Sequence, residues 1–223
     1  MIELLIIRHG ETAWNAERRL QGHVDIPLNE IGLQQARAVA LALSNEAIDA
    51  VICSDLQRAM QTAEAIAKPK GLSCQINPHW RERCFGGFEG ELIGNLEQRF
   101  PAEYAAWRSY QVDSRFPPDA SNGDRGESVR QFHSRIENAL LELCEHYADK
   151  KIVIVAHGGI LECVYRIAHQ LPLHAPRQVS MPNASINRFE LNVTTQKIPQ
   201  IQLKLIQWGD VTHLVSPLDE ISR

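Results

Sequence analysis

Apolar residues fill positions Ile2 to Ile7 almost without interruption and stop at the charge of Arg8, the pattern of a strand covered on both faces. A polar loop containing Asp25 and Pro27 follows. Asn29 then offers an N-cap for a helix reaching Leu43, with Leu33, Ala36, Val39, Ala40 and Leu43 on one stripe. Ala50 to Cys53 is a second apolar run ending at Ser54-Asp55, and Leu56 to Ala67 predicts the helix after it, stopped by Pro69 and Gly71. Leu72 to Ile76 is a shorter strand pattern. Clear periodicity is lost from 78 to 126, where Gly86-Gly87, Gly90, Pro101 and Pro117-Pro118 collect.

Helical spacing returns between Glu127 and Ala148, with Val129, Phe132, Ile136, Leu140, Leu143 and Tyr147 in step. Ile152 to Ala156 is the clearest buried strand, and His157-Gly158-Gly159 turns from it into a helix spanning Ile160 to Gln170. Two alternating stretches, Ser185 to Val193 and Gln200 to Gln207, predict paired strands. Strands alternating with helices predict an α/β fold: a three-layer α/β/α sandwich with a mostly parallel central sheet. The aperiodic segment at about 78–126 reads as a cap insertion within a single domain covering 1–223.

Composition narrows the function more than the fold. The formal charge is -4, with 44% hydrophobic and 22% charged residues, which is ordinary globular composition and argues against a nucleic-acid or anionic-membrane surface. The longest apolar stretches, Ala38 to Leu43 and Ile152 to Ala156, fall far short of the roughly 20 residues that span a bilayer, and the N-terminal run reads as a strand rather than a leader. Five dispersed cysteines without a C-x-x-C pair fit reduced thiols in a cytoplasmic protein better than a disulfide framework or a zinc site. Neither a G-x-x-x-x-G-K-[ST] loop nor a G-x-G-x-x-G turn is present, and no G-x-S-x-G accompanies His157.

Ligands of open parallel sheets bind beyond the carboxyl ends of the strands, so the polar residues just after each predicted strand are the ones to compare. They are Arg8 and His9, then Ser54-Asp55 with Arg58 one helical turn on, then His157. Two imidazoles and two guanidiniums converging on one spot suit a tetrahedral dianion, with the N–H groups of Gly158 and Gly159 at a helix start as further donors. Nearby cations also disfavour imidazolium, which leaves His9 with a lone pair for attack. Trp80-Arg81-Glu82-Arg83, taken by itself, reads as a charged surface segment.

Arg8-His9-Gly10-Glu11-Thr12, Leu20-Gln21-Gly22, Leu28-Asn29-Glu30-Ile31-Gly32 and the run from Ser54 to Ala63 resemble the histidine phosphatase superfamily in its phosphoglycerate-mutase-like branch. The resemblance continues through Glu82, Phe85-Gly86-Gly87-Phe88-Glu89-Gly90, Gly126-Glu127-Ser128 and Val155-Ala156-His157-Gly158-Gly159, and so spans nearly the whole chain. It implies that His9 becomes phosphorylated, that Arg8, Arg58 and His157 bind the phosphoryl oxygens, and that Glu82 gives and takes the proton. It further implies that Asn15 supports the phosphate and that Gln21-Gly22-His23 forms the rim of the substrate pocket. No metal or cofactor is implied.

Related mutases share this chemistry, so the insertion has to separate hydrolase from mutase. Arg83 matches one of the basic residues with which mutases grip phosphoglycerates, but Ile93 stands where a lysine is expected, and Trp107-Arg108-Ser109 carries one arginine where mutases show a pair. The insertion is aromatic instead, with Phe85, Phe88, Phe100, Tyr104, Trp107, Tyr110 and Phe116 among the chain's 14 Phe, Tyr and Trp residues. These rings read first as a small local core and second as walls for a carbon-rich or ring-containing leaving group. The expectation is a metal-independent, histidine acid-type phosphatase acting on small-molecule phosphate monoesters as a monomer or homodimer. A cofactor-dependent phosphoglycerate mutase is the alternative, an α-ribazole or sugar-phosphate phosphatase would be the specific activity, and an inactive phosphopeptide-binding scaffold stands last.

Overall fold

The computed structural model describes residues 1–121, 123–194 and 200–215. In chain order the elements are β1 (Ile2–Arg8), α1 (Ala13–Ala16), α2 (Glu30–Ala42), β2 (Ala50–Cys53), α3 (Gln57–Ala67), β3 (Cys74–Ile76), α4 (Leu96–Arg99), α5 (Pro101–Arg108), α6 (Val129–His146), β4 (Lys151–Ala156), α7 (Gly158–His169), β5 (Ile186–Val193) and β6 (Ile201–Asp210). The six strands form one sheet in the order β3-β2-β4-β1-β5-β6. Strands β3, β2, β4 and β1 are mutually parallel, while β5 runs antiparallel to β1 and β6 antiparallel to β5. The sheet is therefore mixed, with its parallel half carrying the site.

The continuous apolar strands are explained by what lies on each face. Leu4 and Ile6 of β1 with Ile152 and Ile154 of β4 face a cluster with Phe132, Ile136 and Leu140 of α6 and Leu161 and Val164 of α7. Their alternates Leu5, Ile7, Val153 and Val155 face Val39 of α2 and Ala59, Ala63 and Ile66 of α3. A period of two on a strand with helices on both faces gives a run that is apolar at every step. Helix α7 begins at Gly158, two residues earlier than its apolar spacing predicts, because His157 already has the extended backbone of an N-cap.

Between β3 and α6 the chain departs from regular layers. Phe88, Leu96 and Phe116 form a third buried cluster, with Leu20, Phe85, Phe100, Tyr104 and Trp107 packed on it. Trp80, which by sequence belongs to a charged surface segment, is fully buried and joins the α6 side of the main core instead. Helix α6 starts from a capping box in which Ser128 accepts from the Gln131 N–H and the Gln131 side chain accepts from the Ser128 N–H.

Ile154 is fully buried at the centre of the sheet. Replacing it with Ala should lower unfolding stability by about 2–5 kcal/mol, read as a reduced urea midpoint with an unchanged slope.

Candidate active site

The parallel strands end side by side, and each delivers one part of the site. His9 continues the β1–β4 pairing by donating its N–H to the Ala156 carbonyl at 2.9 Å. Its own carbonyl accepts from the Ala184 N–H at 3.2 Å and from Nδ2 of Asn183 at 3.0 Å. Ala184 holds this position at φ 57, a left-handed conformation that costs a residue with a Cβ and persists because the surroundings impose it. On the other side Gly10 donates to the Thr62 hydroxyl at 3.1 Å and Glu11 to Gln35 Oε1 at 2.8 Å, so α3 and α2 fix the turn after His9.

His9 Nδ1 lies 2.7 Å from the Gly10 carbonyl. A carbonyl can only accept, so Nδ1 carries the hydrogen and Nε2 keeps the lone pair. Burial, then the charges of Arg58 and Arg8, hold His9 well below the usual histidine range against the smaller upward pull of the Gly10 carbonyl. His157 is lowered likewise, by burial first, then Arg58 and its other neighbours. The two rings sit 5.1 Å apart between centroids.

Arg58 has no exposed surface and donates to the carbonyls of Val24 and Gly22 at 2.8 and 2.7 Å. Its buried Nε has no partner, and no carboxylate lies within ion-pair distance of it among the described residues. Desolvation pulls its pKa down to about 10. Arg8 donates to the Met181 carbonyl at 2.5 Å. Both guanidiniums line a cavity of about 200 Å³ together with His9, Asn15, Gln21, Glu82 and Arg83.

The carboxylate of Glu82 accepts from the Arg83 N–H at 2.8 Å and from the Gly159 N–H at 2.9 Å. A Cβ at residue 159 would fall 2.1 Å from Glu82 Oε1, so only glycine there lets the carboxylate reach the start of α7. The segment bearing Glu82 is itself clamped. Arg135 donates to the carbonyls of His79, Arg81 and Glu82 at 2.6, 3.0 and 3.1 Å and pairs through two nitrogens with Glu127 at 2.8 and 2.7 Å. Arg81 forks onto Asp55 at the end of β2 at 2.6 and 2.5 Å, and His23 Nε2 donates to the Glu82 carbonyl at 2.8 Å.

His157 is fully buried with its ring against that of His9 and is not itself among the cavity's lining residues; its Nε2 lies 2.7 Å from the Ser54 hydroxyl. Gly22 and Gly158, read from sequence as substrate contacts, are not among the lining residues either. Gly22 gives its carbonyl to Arg58, and Gly158 is buried under the start of α7, where it is Gly159 that faces the cavity. Asn15 and Gln21 do line it, and their side-chain carbonyls accept from the Thr12 N–H and hydroxyl respectively. Sequence spacing missed Arg135, which sits mid-helix like any solvated arginine. Its only trace was Glu127 in the Gly126-Glu127-Ser128 string.

The cap aromatics serve both readings. Phe85, Trp107 and Phe116 belong to the local cluster and also line the cavity, Tyr110 lines the cavity, and Phe88, Phe100 and Tyr104 belong to the cluster without lining it. Arg83 and Arg115 of the insertion also line the cavity, as do Arg166 and Arg177 from outside the insertion. Arg166 is consumed by Glu162 and by the carbonyls of Pro172 and Ala175. Arg83 lies over the Phe116 ring at 4.5 Å, donates through Nε to the Glu127 carbonyl at 2.9 Å, and is pulled by desolvation down to about 10.

The family model of the histidine phosphatase superfamily (branch 1) matches residues 4–203, and the chain belongs to that family. It is 36% identical, over all of both chains, to the probable phosphoglycerate mutase GpmB of Yersinia pestis. Among solved structures it is similar to a mycobacterial glucosyl-3-phosphoglycerate phosphatase, with 27% identity, TM-score 0.75 and coverage of 93% of this chain and 98% of that one. A phosphoserine phosphatase from Entamoeba histolytica, solved with 3-phosphoglyceric acid, matches with 27% identity and TM-score 0.75 over 96% of this chain and all of the other. The chain is thus a histidine phosphatase superfamily member whose relatives carry both mutase and phosphatase names.

Two histidines held neutral by the fold set a pH dependence. Their folded pKa values are depressed, so the unfolded chain binds more protons below about 6.5, and stability present above that pH is lost as pH falls toward the lowered values. Urea unfolding between about pH 6 and pH 5 should show a slope that shrinks by about 1.4 kcal/mol per pH unit in His157→Asn. An unchanged slope would mean that His157 titrates alike folded and unfolded.

Proposed function

We propose that this protein is a metal-independent phosphatase of the histidine acid type that hydrolyses small-molecule phosphate monoesters through a phosphohistidine on His9. The observation that carries the reading is the His9 Nδ1 contact with the Gly10 carbonyl at 2.7 Å, which leaves Nε2 unprotonated beside two buried guanidiniums. Nε2 attacks phosphorus, the bond to the leaving oxygen breaks, and Arg8, Arg58 and His157 take the charge on the equatorial oxygens. Protonated Glu82 gives its proton to the departing alkoxide. The resulting carboxylate then accepts a proton from the water that attacks the phosphohistidine, releasing inorganic phosphate and restoring both His9 and the acid.

Residues 78–126 act as a cap that selects the leaving group. Phe85, Trp107 and Phe116 suit a carbon-rich or ring-containing group, and Ile93 lines the cavity where a mutase would place a lysine. Arg83 offers one cation to an acceptor on that group, while Arg108 is not among the lining residues. Asn15 and Gln21 act as supporting contacts. Free, dispersed cysteines fit an enzyme of the reducing cytoplasm. A phosphoglycerate mutase is the second reading, favoured by the full-length identity of 36% to the GpmB sequence.

Assay of phosphate release from an aryl phosphate with a chelator present, and of a monoester panel beside 3-phosphoglycerate with its bisphosphate cofactor, separates these readings. Hydrolysis is expected with the chelator and should exceed phosphoglycerate interconversion. Metal dependence, or dominant interconversion, would sink the phosphatase proposal. Glu82→Gln should slow alkyl phosphates about 10²-fold or more while affecting activated aryl phosphates less, and equal slowing counts against Glu82 as the acid.

A further inference from the structure

Ser54 is the first residue beyond β2 and is fully buried, and its hydroxyl oxygen sits 2.7 Å from Nε2 of His157. The same oxygen accepts the Leu56 N–H at 3.4 Å. Nδ1 of His157 is buried and has no hydrogen-bond partner among the described residues.

The short contact has two chemical assignments. In the first, Nε2 carries the hydrogen and donates to Ser54. The serine O–H then finds no acceptor among the described residues, and Nδ1 is left as a buried lone pair. In the second, Ser54 donates to Nε2 while accepting from Leu56, and both serine functions are satisfied. Only Nδ1 is then open, and it is an N–H. A buried donor without a partner costs about 1–3 kcal/mol, so the second assignment leaves one debt where the first leaves two. A phosphoryl dianion presents acceptors only, so it can complete an N–H and not a lone pair.

We propose that Ser54 is a positioning residue that fixes neutral His157 as its Nδ1–H tautomer, making that N–H a donor to the phosphoryl group at His9. This rests on the phosphohistidine reading of the site. It assigns the serine a role that differs from holding the fold, since the direction of one hydrogen bond decides whether His157 offers phosphate a hydrogen or a lone pair.

The test is long-range proton–nitrogen correlation NMR on protein carrying nitrogen-15 histidine, with the His157 pattern identified by its loss in His157→Gln. The wild type should show a protonated-type Nδ1 and a lone-pair-type Nε2, and inorganic phosphate should shift the Nδ1–H resonance. Ser54→Ala should move the pattern toward Nε2–H and lower kcat/KM for an aryl phosphate on the order of 10²-fold, the loss expected for one misplaced oxyanion donor. Ser54→Thr, which keeps the hydroxyl, should restore both. A wild-type Nε2–H tautomer, an unchanged pattern in Ser54→Ala, or no response to saturating phosphate overturns the proposal. Because the tautomer is read without turnover, an Nδ1–H pattern in a protein that hydrolyses no ester would refute the functional reading and leave the Ser54 assignment standing.

Discussion

A guanidinium buried without a carboxylate is the constraint around which this site is arranged. Arg58 is anchored by two carbonyls of the 22–24 loop, and among the described residues no acidic side chain forms an ion pair with it, Glu82, Asp25 and Glu89 acting on it only from farther off. Neutralising it with an Asp or Glu would have been the ordinary way to bury the charge. Leaving it to carbonyl dipoles keeps a positive field in the cavity for an anion to complete. The same field, added to desolvation, favours neutral His9 and His157, so in the proposed reaction one arrangement would supply both the anion site and a nucleophile with its lone pair free.

Placement of that field depends on the sheet. Parallel β1, β2 and β4 bring Arg8 and His9, Ser54 and His157 to one edge, and α3 supplies Arg58 from its first turn. The proposed acid arrives from outside this layer. Glu82 is carried on an irregular segment that Arg135, Arg81 and His23 tie to α6, to β2 and to the 22–24 loop. The proposed hydrolysis needs the acid at a fixed distance from the nucleophile, and beyond the single turn at Pro78–Trp80 the segment gains that fixity through such cross-ties.

Much of the fold was legible because its strands are apolar at every step and its helices carry clean stripes, as with Ile152 to Ala156 and the Phe132-Ile136-Leu140 row. The candidate anion-binding cluster was legible for a related reason: polar residues directly after buried strands have one place to go. What was not legible lay where periodicity fails. Trp80 read as surface because its neighbours are charged, yet those charges are spent on Asp55 and on backbone groups, the Glu127 carbonyl among them, while the ring enters the core. Arg135 carried no motif to single it out, and Gly22 looked like part of the substrate-pocket rim although its carbonyl serves Arg58. The cations of the cavity wall, Arg115 and Arg177 among them, carried no signal along the sequence because the chain folds them in from different segments.

The central claim is that His9 itself carries the phosphoryl group, and mass spectrometry of enzyme quenched in alkali during steady-state turnover tests it most directly. The expected result is a phosphate adduct on the peptide bearing His9 that is stable in alkali, lost in acid and absent from His9→Ala. Sustained phosphate release with no adduct on that peptide, or turnover that survives in His9→Ala, would contradict the account.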